Sequence, residues 1–391
     1  MITSMLRRAM LSGDGSALSL DFTQMSTLAD LTSRGLTFSR STSGTYLNAN
    51  GLVATATAGN PRFDYDTSGN PRGILIEGSA TNLVYHSETF RLTAVAAEPY
   101  WADSASVSRG NDTAPDGTAG AAVNIIAIGT AGTVIQTAAV GSSANRTFSF
   151  WAKRSGGGTI EYTLDNGSTW TAVTITANWV RYTATATNAN QRVGFRVATG
   201  SGTSIWGAML EAGSGSSSYI PSGASQGSRD QDLVSVTLTN FSSWWTSNNP
   251  ASFLLDFSST QRPSTNRIIR IADSGGSAFG YSVYFNSSTM PQQVRAVLSS
   301  ASSSDISIGT NLAANTRTKV GFTIETAALK RFRDGSLAST LSSPSLPPNT
   351  MTQMYIGGNP AFGNSSADFC LRSFKYWPTT LADATMQILT T

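Results

Sequence analysis

Residues 148–197 read FSFWAKRSGGGTIEYTLDNGSTWTAVTITANWVRYTATATNANQRVGFRV, and their alternation decides the fold class. Phe148 and Phe150 fall on one face of a run, and Ile160, Tyr162 and Leu164 on one face of the next. Val173 and Ile175 follow, then Val180, Tyr182, Ala184 and Ala186, then Val193, Phe195 and Val197. A period of two with one apolar face is the pattern of a half-buried strand. Ser155 to Gly158 and Asp165-Asn166-Gly167 sit between runs and supply turns at hairpin spacing. Several such short strands in succession predict a β-sandwich.

The same period continues on both sides of this stretch. Phe253, Leu255 and Phe257 alternate, as do Val320, Phe322 and Ile324, and Arg333-Asp334-Gly335-Ser336 forms a hairpin turn between Phe332 and Leu337. Nearer the N-terminus, Phe63 and Tyr65 alternate with Asp64 and Asp66, which places the two acids on the open face of a half-buried strand. Ser68-Gly69-Asn70-Pro71 supplies the turn that follows. The Gly/Ser-rich stretches Ala212 to Ser218 and Ser222 to Ser228 read as a linker. Only the end of the chain is helical in pattern. There Thr380 and Asp383 have capping-box spacing, and Leu381, Thr385, Ile388 and Leu389 share a face.

Composition agrees with an all-β chain. Charged residues are 13% of the 391 residues and hydrophobic ones 40%, enough apolar surface for real cores but too little charge for long exposed helices. This length suits two or three domains. The net charge is +3, with arginines single or paired, as at Arg7-Arg8 and at Arg331 and Arg333. Nucleic-acid binding needs a clustered basic patch, and none is present. No run of about 18 apolar residues exists to insert into a membrane. No continuous apolar stretch follows Arg7 and Arg8, so a signal peptide is not expected.

Catalytic chemistry is poorly supplied, and no catalytic residue is assigned. His86 is the sole histidine and Cys370 the sole cysteine, which leaves no Cys/His set for zinc and one candidate base for a serine triad. Cys370 lies in an apolar alternation and reads as a small buried hydrophobe. Glu161 and Asp165 are candidates for a glycosidase carboxylate pair, but surface ion pairing is the simpler reading. Binding chemistry is richer. Trp170 and Trp179 fall out of phase with the apolar faces around them, Arg181 follows on the face of Trp179, and Arg192 and Arg196 lie opposite Val193, Phe195 and Val197. Aromatic rings beside arginines suit the flat apolar faces and hydroxyls of sugars. Trp170, Trp179, Arg181, Arg192 and Arg196 are therefore the candidate glycan-binding set. Tryptophans that cap the sandwich edge or fill an intersubunit contact are the competing reading. Trp244-Trp245 is expected to dock its domain on a neighbour, with ligand contact as the alternative.

Three resemblances cover nearly the whole chain. Leu20-Asp21-Phe22, Phe38 to Thr42, Pro61 to Asp66, Gly73 to Glu77, and Thr81-Asn82-Leu83 with Ser87-Glu88 resemble a segment recurrent in tailed-phage virion and tail-fibre-like proteins. Ala114 to Thr118, Phe148 to Ala152, Trp206 to Glu211, Ser218 to Pro221 and Ser228-Arg229-Asp230 resemble carbohydrate-binding-module-like jelly rolls. Arg333-Asp334-Gly335, Tyr355 to Gly358, and Phe369 to Pro378 with Leu381-Ala382-Asp383 are similar to laminin-G or concanavalin-A-like lectin sandwiches.

These resemblances imply a virion-attachment segment at 1–84, a jelly roll at 85–228 and a lectin-like sandwich at 229–391. The implied role is a non-enzymatic tail fibre or adhesin that binds host surface polysaccharide. A capsid or tail decoration protein (a head fibre) without a specific ligand is the alternative, and a polysaccharide depolymerase the third reading. The implied setting is the virion surface, reached from the host cytoplasm by lysis. Its implied partners are other virion proteins bound through residues 1–84 and further copies of the chain, as a homotrimer. No cofactor is expected beyond a structural calcium, which the jelly-roll resemblance places near Glu88, Asp112, Asp116 and Glu211.

Overall fold

The computed structural model describes residues 14–90, 100–138, 143–156, 159–188, 191–237, 239–246, 250–259, 267–273, 280–285, 294–299, 304–307, 312, 315–347, 351–358 and 368–391. Arg7 and Arg8 lie outside these residues. The protein is all-β: antiparallel sheets carry both of its compact units, and helices are short. No described helix is long and apolar enough to cross a membrane. One unit comprises Met1–Gly51, Ala56–Gly78 and Asp230–Thr391, the other Leu52–Thr55 and Ser79–Arg229. This division departs from the expected boundaries at one end. Of the described residues up to 84, those through Gly51 and Ala56–Gly78 group with the C-terminal sandwich.

Among the described residues the unit containing Ser79–Arg229 has a two-stranded pairing of Ala80–Asn82 with Gly227–Arg229 and two five-stranded sheets. One runs in the order Val180–Asn188, Ala144–Arg154, Gly202–Ala212, Ala122–Ala127 and Val107–Asp112. The other runs Thr171–Thr174, Thr159–Thr163, Gly194–Val197, Gly132–Gln136 and Trp101–Asp103. Alternation places Phe148, Phe150 and Ala152 against Ile160, Phe195 and Val197 in one core. Phe195 is its centre, with Phe150 at 4.9 Å edge-on and Trp101 stacked at 6.0 Å. Full burial of each such side chain contributes about 1.5–3 kcal/mol. Trp101 keeps its one polar atom satisfied by donating from Nε1 to the Tyr85 carbonyl at 2.9 Å. Val180, expected on the same apolar face as Tyr182, is instead 37% exposed at the start of its strand.

The Gly/Ser-rich stretch is no linker. Tyr219 and Ile220 are buried, and the Tyr219 ring sits 5.5 Å from Trp151 and 4.7 Å from Trp206. Those two tryptophans are direct cross-strand partners on the outer face of the first sheet. Glu211 accepts from both the Ser217 amide and its hydroxyl at 3.0 Å. Small residues let this segment lie flat along the sheet as a strap, and the polar contacts fix it there.

The other unit has an eight-stranded sheet whose main order is Ser336–Ser342, Ala328–Arg333, Arg317–Ile324, Ala251–Ser259, Phe369–Trp377, Pro71–Ile76 and Arg62–Tyr65. Leu18–Asp21 also pairs with Phe369–Trp377. Its facing sheet runs Thr37–Ser39, Leu233–Thr237, Gln353–Ile356, Arg267–Ala272, Gly280–Phe285, Val294–Ser299 and Ser304–Ser307. N-terminal strands thus enter both sheets, with Leu20 opposite Phe374 and Phe38 opposite Val234. Trp244 and Trp245 form neither a docking surface nor a ligand site. Both are buried in this core, Trp245 stacked on Tyr376 at 4.7 Å and Trp244 edge-on to Phe241 at 4.6 Å.

The charged residues of the N-terminal motifs are buried as well. Arg40, Arg62, Glu77 and Asp232 are each at most 3% exposed. Arg40 Nη1 meets Asp232 Oδ1 at 2.7 Å, Arg62 Nη1 meets Glu77 Oε2 at 2.6 Å, and Arg62 Nη2 meets Asp232 Oδ2. Backbone carbonyls of Ala56, Thr57 and Asn60 absorb the other Arg40 amino group at 3.0–3.2 Å. Burial pulls the Arg62 pKa down, but Asp232 and Glu77 outweigh it and hold the guanidinium above its ordinary value. Asp64, expected on a solvated face, is also buried; it accepts from the Leu47 amide at 2.9 Å and from Arg72 at 3.1 Å.

At the C-terminus the helix is Asp383–Leu389, capped at Ala382 without a side-chain bond, so the capping box does not form. Its buried residue is Met386, whereas Ile388 is 72% exposed. Asp383 instead pairs with Lys330 at 2.8 Å.

Candidate functional site

Cross-strand register on the second sheet of the Ser79–Arg229 unit aligns Ala172, Glu161, Arg196 and Thr133 in one row on its outer face. Arg196 grips Glu161 with two parallel bonds, Nε to Oε2 at 2.5 Å and Nη2 to Oε1 at 2.8 Å. This fork geometry is the strong form of a carboxylate–guanidinium pair. Trp170 lies over the same arginine, its ring centroid 4.8 Å from the guanidinium carbon.

The loop before Trp170 explains its position. Asp165 accepts from the Thr169 amide and hydroxyl at 2.9 and 2.6 Å and from the Thr163 hydroxyl at 2.7 Å, which winds residues 163–169 into a tight turn. Asn166 and Gly167 take positive φ values of 61° and 83°, the left-handed region that Asn and Gly tolerate. A side chain at Gly167 would meet the Trp170 ring at 3.2 Å, so the glycine also makes room for it.

The site is open. The Arg196 and Glu161 side chains are 33% and 31% exposed, Trp170 is half-buried, and Ser168, Thr169, Thr171, Ala172 and Thr174 around them are exposed. The bond from Arg196 holds the Glu161 carboxyl below its usual range, and the same bond raises Arg196. Both groups are therefore ionised near neutral pH. The pair spends Nε and Nη2 of the guanidinium, and the Nη1 amino group has no partner among the described residues. Donor and acceptor thus stand side by side against the face of an indole, chemistry of the kind that sugar rings and their hydroxyls can use.

The five candidate glycan residues do not form one platform. Trp170 and Arg196 come together, and the Arg192 carbonyl accepts from the Asn166 amide of the Trp170 loop at 3.1 Å. Trp179 and Arg181 belong to the other sheet. Trp179 donates from Nε1 to the Thr113 carbonyl at 3.1 Å and carries Lys153 over its ring at 5.1 Å. Arg181 is structural: it donates to the Ser217 carbonyl and Ser149 hydroxyl at 2.8 Å and packs on Trp151 at 4.7 Å. Glu161, a candidate for a glycosidase carboxylate pair or for surface ion pairing, forms the ion pair, with Arg196.

The four candidate calcium ligands do not converge as one set, although Glu88 and Asp116 lie close enough for their charges to interact. Asp112 pairs with Lys153 at 3.0 Å and accepts from Ser204 at 2.6 Å, while Glu211 is engaged by the strap at Ser217. Glu88 accepts from the Tyr219 hydroxyl at 3.1 Å, and Asp116 from the Thr118 amide at 2.8 Å. Among the described residues, no group of three or more His, Cys, Asp or Glu gathers as a metal site. His86 is buried, with a positive φ of 49°. Cys370 is fully buried, and burial pushes its thiol well above the ordinary range, as expected of a structural cysteine.

No family model and no curated protein matches the chain. Solved structures do show likenesses. The CBM40 of the Ruminococcus gnavus IT-sialidase bound to α2,3-sialyllactose is 13% identical, aligned over 36% of this chain and 83% of that one, with a TM-score of 0.32. Domain 4 of AbnA, a GH43 extracellular arabinanase from Geobacillus stearothermophilus, in complex with arabinotriose, is 12% identical over 41% and 73%, with a TM-score of 0.34. A heptameric SAP-like pentraxin from Limulus polyphemus is 14% identical over 36% and 70%, with a TM-score of 0.30. At these identities and scores the likenesses say nothing of ligand or role.

Proposed function

We propose that the chain is a non-enzymatic, glycan-binding component of a tailed-phage particle, a tail fibre or adhesin that engages host surface polysaccharide. The observation that carries the binding half is the Trp170–Arg196–Glu161 platform: an indole over a guanidinium that is itself paired with a carboxylate, on an open sheet face. Preorganised groups of this kind bind without first losing side-chain freedom. The virion setting is supported by the resemblance of the motifs between Leu20 and Glu88. The motifs from Leu20 to Glu77 supply strands to the C-terminal sandwich, and attachment to the particle through residues 1–84 would then engage that unit. A homotrimer is part of the proposal, checked by mass measurement in solution.

The test is binding of the full chain and its Trp170→Ala variant to an array of bacterial glycans and to host cells. Trp170→Ala is expected to weaken binding at least about tenfold, a loss of about 1.4 kcal/mol, with unchanged melting. Absence of binding to every glycan and every receptor-bearing cell overturns the adhesin reading. Shortened polysaccharide products after incubation overturn its non-enzymatic part.

A further inference from the structure

We infer that the Trp170 platform takes neutral sugar residues and turns away carboxylated ones; this specificity rests on the glycan-binding reading above. The argument is one of local charge. Sites that capture a sugar carboxylate need a cation with its charge unspent, because planar recognition of a carboxylate uses two N–H donors of one guanidinium edge. Arg196 has already given that edge to Glu161, at 2.5 and 2.8 Å. A second carboxylate approaching the remaining Nη1 group meets Glu161 on the adjacent strand, directly opposite Arg196 in the register. Like charges at such separations repel.

The surrounding charges do not alter the balance. Asp165 is consumed by the Thr163 and Thr169 hydroxyls within the loop; Arg192 meets that loop through its carbonyl, and its Nε is shielded from solvent, which withdraws that edge of its guanidinium from a ligand. One charge of each sign is thereby added, and the face stays neutral overall. What remains available is chemistry for hydroxyls. It comprises the Nη1 donors, the outer lone pairs of Glu161 and the exposed side chains of Ser168, Thr169, Thr171 and Thr174. Trp170 beside them supplies the apolar surface for a sugar's C–H face.

The experiment pairs ligands that differ only in charge. The full chain is titrated calorimetrically with tetragalacturonate and its methyl ester, and with sialyllactose and its methyl ester, within a wider panel of neutral and acidic oligosaccharides. The neutral member of each bound pair is expected to bind about tenfold tighter or better. Glu161→Gln keeps the size and one acceptor oxygen but frees the charge of Arg196. It is expected to shift the ratio about tenfold toward the acidic member, and Trp170→Ala to abolish binding of both. A chain that prefers the acidic member, or a Glu161→Gln ratio equal to the parent's, overturns the inference and leaves the adhesin reading standing. Binding that survives Trp170→Ala overturns the placement of the site, and no binding across the panel overturns the glycan reading itself. Melting of the parent and both variants well above the titration temperature shows that each result reports on binding.

Discussion

Arg40 and Asp232 stand 192 residues apart in the chain and form an ion pair of 2.7 Å in which both side chains are fully shielded from solvent. The pair extends to Arg62 and Glu77, and the Glu77 and Asp232 backbones are themselves joined, amide to carbonyl, at 2.9 Å. These residues flank the points where the chain leaves the N- and C-terminal unit after Gly78 and returns at Asp230. Two cations and two anions balance, so the buried set is neutral. Removing one member strands a charge in the interior, which costs far more than the intact network contributes.

Arg62→Met is therefore expected to destabilise that unit by about 3–5 kcal/mol. Hydrogen exchange read by mass spectrometry checks the location of the effect. Protection should fall in Arg62–Tyr65, Pro71–Ile76 and Leu233–Thr237 and persist in Ala144–Arg154. Equal loss in both units would show that the network is not local to one of them.

Gly73 opens the Gly73 to Glu77 motif for a steric reason. Its φ is 103°, and a Cβ there would sit 2.0 Å from the Leu371 carbonyl oxygen, on backbone that cannot swing aside. Gly73→Ala is expected to cost several kcal/mol by combining a strained dihedral with a forced separation of paired strands. Urea unfolding measures this; a change within about 0.5 kcal/mol would contradict the assignment.

Much of the sandwich between Ser79 and Arg229 was legible because its signals are local. Phe148 and Phe150, or Phe195 and Val197, need only their neighbours to declare a face. Partnerships across long separations left no such trace. Leu20 gives no sign that it pairs with Phe374, so the first segment reads as independent when its strands complete a distant sheet. Charge misled at Asp64, because alternation with Phe63 looks the same whether the polar side faces water or a set of counter-ions. The candidate site was half legible for a topological reason. Trp170 and Trp179 flank one short strand, but Thr171–Thr174 pairs with Thr159–Thr163 whereas Val180–Asn188 pairs with Ala144–Arg154 of the opposite sheet. Residues nine apart in the sequence are thus sent to different faces.

That separation predicts different phenotypes. Trp179→Ala removes the lid over Lys153 and one bond to the Thr113 carbonyl, and is expected to lower stability by about 1 kcal/mol while leaving glycan affinity unchanged. Trp170→Ala should do the reverse. Calorimetric titration beside thermal melting separates the two, and equal loss of affinity in both variants would restore a single platform.

Cys370 is expected to resist alkylation in the folded chain. It has no exposed surface, burial raises its pKa, and its sulfur lies 3.7 Å from the buried Asp64 carboxylate, which disfavours a second negative charge. Iodoacetamide followed by mass measurement should add nothing to the native chain and one group after denaturation. Rapid native labelling would show that the strand Phe369–Trp377 opens on its own.

The ion pair of the platform sets the last expectation, a dependence on acid. Glu161 has its carboxyl pKa depressed below its ordinary 4.5 by the bond from Arg196. For a carboxylate with a depressed folded-state pKa, the unfolded chain binds the proton more readily. The pair's contribution is then present in full above the ordinary value and is lost as the pH falls through the folded one. Both side chains are about one-third exposed, so solvent screening limits that contribution to about 0–1 kcal/mol. The stability difference between the parent and Glu161→Gln should hold constant from neutrality down to about pH 5 and shrink toward zero below the ordinary value. Affinity for a neutral glycan should follow the same curve, since protonated Glu161 no longer fixes the guanidinium beside Trp170. A difference that stays flat through the acid range would mean that Arg196 keeps its place without the carboxylate.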